Sequence, residues 1–127
     1  VKEILVTDRN EGRIQQIVEQ LGAKASAKKL DLNNKDALAA TIAGASLVMN
    51  FIGPYYRFGT AALEVAIKSG VNYIDLCDDY DVTMEALKLD QMAREKGVTA
   101  IIWNFYSASF NLNKQEQHNR LIKSWDQ

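Results

Sequence analysis

Four carboxylates crowd into one short stretch, Asp75, Asp78, Asp79 and Asp81, with Cys77 among them. A hard cation is the first chemistry such a cluster brings to mind, but calcium loops need regular ligand spacing and a closing bidentate carboxylate, and neither is found here. Helix capping accounts for the acids as well, with Asp81 placed to cap. Acidic surroundings raise a thiol pKa, so Cys77 is not read as a nucleophile. His118 has no second soft ligand near it and falls at helical spacing with Leu121, Ile122 and Trp125. That pattern fits the edge of an amphipathic tail helix better than a metal site. Neither a catalytic side chain nor a metal ligand set is expected.

Nucleotide chemistry has better candidates. Asp8 and Arg9 follow the apolar run Ile4-Leu5-Val6. A carboxylate at a strand end can accept hydrogen bonds from an adenosine ribose, and a neighbouring arginine can pair with a 2′-phosphate. Asp8 favours NAD and Arg9 permits NADP; the alternative is that Asp8 caps the helix starting near Glu11. The second candidate is Gly53-Pro54-Tyr55-Tyr56-Arg57-Phe58-Gly59. It is not a P-loop, because five residues separate the glycines and no G-K-[ST] follows. For Tyr55, Tyr56 and Phe58 the competing reading is that the rings cover the end of the core.

These residues need elements to hold them. Strands are expected at 2–7, 25–30, 45–49, 71–76 and 98–103, each short and apolar enough for a parallel sheet covered on both faces. Helices fall between them. The first carries Ile14, Ile17, Val18 and Leu21 on one face and ends at Gly22. The second runs from Asp36 to Ala43 behind a capping asparagine, and the third from Thr60 to Ser69. The fourth starts near Asp81, buries Val82, Ala86, Leu89 and Ala93, and stops before Gly97. Alternation at this spacing implies an α/β domain with a parallel sheet.

Composition bounds the rest. The chain has 127 residues, 47% of them hydrophobic, which fits one domain. A net charge of -1 with mixed signs along the chain offers no footprint for a nucleic acid. A single cysteine cannot form an internal disulfide, and no apolar run approaches the roughly 18 residues of a membrane span. A cytoplasmic protein without membrane partners is the expectation.

The order Asp8-Arg9-Asn10, Gly53 to Gly59, Gly70-Val71-Asn72-Tyr73-Ile74-Asp75-Leu76 with Asp78-Asp79, then Gly97-Val98-Thr99, resembles the nucleotide-binding domain of saccharopine dehydrogenase-like oxidoreductases. The resemblance covers about residues 2 to 102 and implies a Rossmann domain binding NAD or NADP, in a family of dehydrogenases of lysine metabolism acting on amino-acid-type substrates. It implies that Asp31 and Leu32 flank the adenine, helix capping being the rival reading. It also implies that Asn50, Ile52, Gly53, Pro54 and Tyr55 border the pyrophosphate and nicotinamide ribose. The sequence departs from the family in two places. No G-x-G-x-x-G turn precedes Ile4, and Ser107, Ala108, Ser109 and Asn111 only faintly match the family's catalytic loop. The chain is therefore expected to be a Rossmann fragment over 1–103 with a polar tail over 104–127, binding its dinucleotide weakly and inactive alone.

Two other classes compete. A phospho-acceptor receiver domain shares the layout, but Asn50 stands where its central strand needs an aspartate. A non-catalytic nucleotide-sensing or interaction module remains the alternative. In the Rossmann order 3-2-1-4-5-6 the absent first strand would lie between the strands of Leu5 and Val48. Closure of that gap gives the order 2-1-3-4-5, with direct pairing of those two strands. A strand borrowed from a second copy would instead give an intertwined homodimer.

Overall fold

The computed structural model describes residues 1–103, which form two compact units, the first spanning Val1–Ala43 and the second beginning at Gly44. The expected tail helix with His118, Leu121, Ile122 and Trp125 lies outside the described residues, as do Ser107, Ala108, Ser109 and Asn111.

In the first unit, β1 (Ile4–Asp8) leads to α1 (Glu11–Leu21), a 3-10 turn at Gly22–Lys24, β2 (Ala25–Lys29) and α2 (Lys35–Ile42). β1 and β2 are parallel, with Ile4 opposite Ala25 and Asp8 opposite Lys29. Ile14, Leu30, Leu38 and Ile42 are buried. Ile17 and Leu21, expected in the core, stay 43% and 46% exposed. A sheet of two strands is too narrow to cover the whole apolar stripe of a helix, and Ile14 takes the covered position.

The second unit runs β3 (Leu47–Asn50), α3 (Tyr55–Lys68), β4 (Asn72–Asp75), α4 (Tyr80–Leu87), α5 (Asp90–Lys96) and β5 (Ala100–Ile102). Its three strands form a parallel sheet in the order β3-β4-β5. Ala62, Leu63, Val65, Ala66 and Ile67 of α3 are buried with Val71, Tyr73, Val82, Ala86, Ala93 and Val98.

The α/β, Rossmann-like class is as expected, and three details are corrected. First, α3 begins at Tyr55 rather than Thr60: Arg57 and Phe58 donate their backbone N–H groups to the Pro54 carbonyl at 3.1 and 3.3 Å. Glycine and proline in the stretch made it read as a strand-to-helix loop, yet proline is pre-set to lead into a first turn. Second, the single helix expected before Gly97 is two. The amides of Lys88 and Leu89 donate three residues back to Glu85 and Ala86, tightening the end of α4 before α5 starts. The residue preceding α4 is Asp79, not Asp81.

Third, β2-β1 and β3-β4-β5 pair as the order 2-1-3-4-5 requires, but no ladder joins β1 to β3 among the described residues, and the sheet is divided in two. Each unit pairs its own strands in parallel, and the direct Leu5–Val48 strand pairing is not among the ladders of the described residues. Leu5, Leu47 and Met49 remain 44%, 49% and 56% exposed. No helix among the described residues is long and apolar enough to cross a membrane.

Candidate functional site

In open α/β sheets ligands gather at the carboxyl ends of the strands, and the polar side chains of each unit collect there. In the first unit Asp8 is the last residue of β1, and its carbonyl accepts from Leu30 N–H at 2.9 Å. That bond draws the β1 and β2 ends together, so Asp8 and the loop of Asp31 are neighbours. Asp8 Oδ1 accepts from Asn10 N–H at 2.8 Å. The cap of α1 is Asn10, whose Oδ1 accepts from Arg13 N–H at 3.1 Å. This corrects the capping alternative for Asp8, which holds the loop turn instead and has a second carboxylate oxygen for a ligand. Arg9 is exposed, and none of the ion pairs among the described residues uses it.

Asp31 turns inward to its own loop: its Oδ1 accepts from the backbone N–H and Nδ2 of Asn33 at 2.9 and 2.8 Å. Asn34, as expected, caps α2 through Ala37 N–H at 2.9 Å. Leu32 is half-buried.

In the second unit Asn50 and Asp75 face each other as the last residues of β3 and β4. They are only 5% and 2% exposed, the buried polar side chains among the described residues apart from tyrosine hydroxyls. Tyr73, buried beneath them, accepts from Asn50 Nδ2 at 2.9 Å and donates to Asp75 Oδ2 at 2.8 Å. The remaining oxygens hold the loops that leave the strands. Asn50 Oδ1 accepts from Ile52 N–H at 3.1 Å, and Asp75 Oδ1 from Cys77 N–H at 3.0 Å. Tyr55 adds a second tie, donating to the Asn50 carbonyl at 3.1 Å and accepting from Leu76 N–H at 3.4 Å. Between them lies the cis Gly53–Pro54 peptide. A Cβ built on Gly53 meets nothing within 4 Å, so the backbone there is open to a ligand.

Burial sets the electrostatics of this region. It raises the Asp75 carboxyl above the usual range, against the opposing hydrogen bonds from Cys77 N–H and the Tyr73 hydroxyl. It raises the Tyr73 phenol too, helped by the Asp75 charge, so Tyr73 is held as a neutral donor. Tyr55 shifts upward for the same first reason. The Cys77 thiol is pushed up to about 11 by burial, with the charges of Asp75, Asp79 and Asp78 adding to it.

Of the expected ring covers, Tyr55 is half-buried and tied down, whereas Tyr56 is 77% exposed. Arg57 lies over the Phe58 ring, 5.1 Å from its centroid. Tyr73 and Asp75 were missed as a unit. The signal was present as three polar residues, Asn50, Tyr73 and Asp75, on apolar strands at a spacing that puts them on one face.

Residues 1–101 match the family described as the saccharopine dehydrogenase NADP binding domain. A rat saccharopine dehydrogenase-like oxidoreductase is 28% identical over 106 residues, 76% of this chain and 25% of the rat protein. A Caenorhabditis elegans lipid droplet localized protein is 24% identical over 123 residues, 85% of this chain and 28% of that protein. Among solved structures, the apo saccharopine dehydrogenase (L-Glu forming) of Saccharomyces cerevisiae superposes with a TM-score of 0.65 at 20% identity, covering 98% of this chain and 25% of that one. The Citrobacter triphenylmethane reductase complexed with NADP(H) gives 0.57 at 16% identity, over 80% and 39%. The chain spans about a quarter of the length of the curated relatives it matches.

Proposed function

The chain belongs to the family of saccharopine dehydrogenase NADP-binding domains, and from that premise we infer that it is the nucleotide-binding part of an NADP-preferring oxidoreductase acting on an amino-acid-type substrate. The observation that carries the preference is Arg9, an exposed guanidinium with no ion pair among the described residues, placed directly after the strand-end carboxylate Asp8. The free oxygen of Asp8 takes a ribose hydroxyl, and Arg9 pairs with a 2′-phosphate in the two-pronged geometry that guanidinium suits. In the second unit the open backbone at Gly53 and the Ile52–Pro54 stretch border the nicotinamide end. The cofactor supplies the hydride; the chain's own residues bind and orient it.

No G-x-G-x-x-G turn is present in these 127 residues, so pyrophosphate contacts are few and the dissociation constant is expected near ~1 mM. Titration calorimetry of the full chain with NADPH and NADH tests the reading. NADPH should bind about tenfold more tightly, Arg9→Ala should erase the difference, and Asp8→Ala should weaken NADH more than NADPH. Equal affinities, unaffected by Arg9→Ala, would remove the NADP preference. Micromolar binding would reveal a phosphate cradle elsewhere. Hydride transfer also needs a substrate held against the nicotinamide, so the 127 residues are expected to leave NAD+ and NADP+ unreduced in the presence of saccharopine or lysine.

A further inference from the structure

The Tyr73 hydroxyl is a single atom group on which two separate loops depend. On one side it accepts from Asn50, whose carbonyl oxygen holds the Ile52 amide; on the other it donates to Asp75, whose second oxygen holds the Cys77 amide. Every position in this chain of bonds is directional. Asn50 must present its NH2 to the phenol because its oxygen is occupied by Ile52 N–H, and Asp75 in its ionised form accepts. The phenol oxygen, receiving one bond and giving one, joins the two. Tyr73 itself is 1% exposed and packs in the core, so it does not touch a ligand.

We propose that Tyr73 is a positioning residue for the dinucleotide, its hydroxyl locking the β3–α3 loop and the β4–α4 loop into one rigid rim at the nicotinamide end of the site. The proposal deepens the NADP-binding reading and rests on it for the ligand, while the locking of the two loops stands on the hydrogen bonds alone. Asp8 and Arg9 take no part in these bonds, so loss of the hydroxyl weakens recognition of the nicotinamide end and leaves recognition of the 2′-phosphate end intact.

Tyr73→Phe keeps the ring and removes only the lock. In the cofactor-free chain, amide hydrogen exchange followed by NMR should show Ile52 and Cys77 losing protection together, about tenfold each, while the amides of α3 change little. NMR titration should then show NADPH about tenfold weaker and adenosine 2′,5′-bisphosphate, which lacks the nicotinamide end, unchanged. Loss of protection at only one of the two amides overturns the lock. Equal weakening of both ligands overturns the positioning role, since a general loss of structure would act on both. If the unsubstituted chain binds neither ligand, the NADP-binding reading and the ligand half of the proposal both fall, and the exchange data still decide the lock. Should Tyr73→Phe not fold, Asn50→Ala cuts the same link from the other side and keeps the Tyr73–Asp75 bond. Because it also removes the acceptor of the Ile52 amide, the amide to read in this variant is Cys77, which should lose protection as well; a Cys77 amide left protected overturns the lock.

Discussion

Cys77 shows how much of a residue's chemistry is local and how much is tertiary. The acidic neighbours in sequence already argued for a raised thiol pKa, but the leading cause is burial, and its position at 0% exposure depends on the fold around it. The folded thiol titrates near 11 against an ordinary value of 9.0. Above pH 9 the unfolded chain therefore gives up its thiol proton before the folded one does, and native stability falls as pH rises through about 11. Tyr73 and Tyr55, raised likewise, add to the slope, so Cys77→Ala should reduce it and not abolish it. Urea melts at pH 8 and pH 10 measure this; an unchanged slope in the variant would contradict the assignment. Iodoacetamide at pH 7 should leave Cys77 unlabelled in the folded chain and label it in urea. The same division explains the candidate site. The place of Asp8 at a strand end was legible because strand ends are written locally, whereas Tyr73 looked like one more aromatic on a strand. That its hydroxyl would find partners on β3 depended on the Asn50–Asp75 register, which no local pattern encodes.

At the level of elements, caps and glycine stops were legible, with Asn34 before α2 and Gly22 after α1. Boundaries fixed by packing were not, and α3 is the clear case. Gly59 argued for a loop, yet it lies buried inside the helix, where a Cβ would sit 3.3 Å from Val82 Cγ1 on α4. The glycine is there because two helices approach closely, a reason that overrides its poor helix propensity. Gly59→Val should therefore destabilise the chain by about 1–3 kcal/mol through overpacking. Chemical denaturation checks it, and a variant as stable as the parent would mean that α4 yields easily. The division of the last helix into α4 and α5 follows the same rule, since no glycine or proline marks Lys88 and Leu89 as a break.

For the whole molecule, the parallel α/β class followed from alternation alone, because strands joined by short helices on a right-handed path have few alternatives. Which strand borders which is a different matter: it depends on long-range packing, and the ladders among the described residues join strands within each unit only. The parallel sheet of the second unit has a further property. Period-two alternation puts Leu47, Met49 and Ile101 on the face opposite Tyr73, and Met49, Ile74 and Ile101 stand in register across three strands. Met49 and Ile101 are 56% and 40% exposed, with Trp103 at 57% close by. Parallel sheets ordinarily have both faces covered. A solution of this chain should consequently enhance the fluorescence of anilinonaphthalene sulfonate while still melting cooperatively and keeping its near-ultraviolet dichroism. Dye binding, the customary sign of a molten globule, would here come from a well-packed protein with a greasy sheet face, and Met49→Lys with Ile101→Thr should quench the signal without lowering the midpoint of the melt.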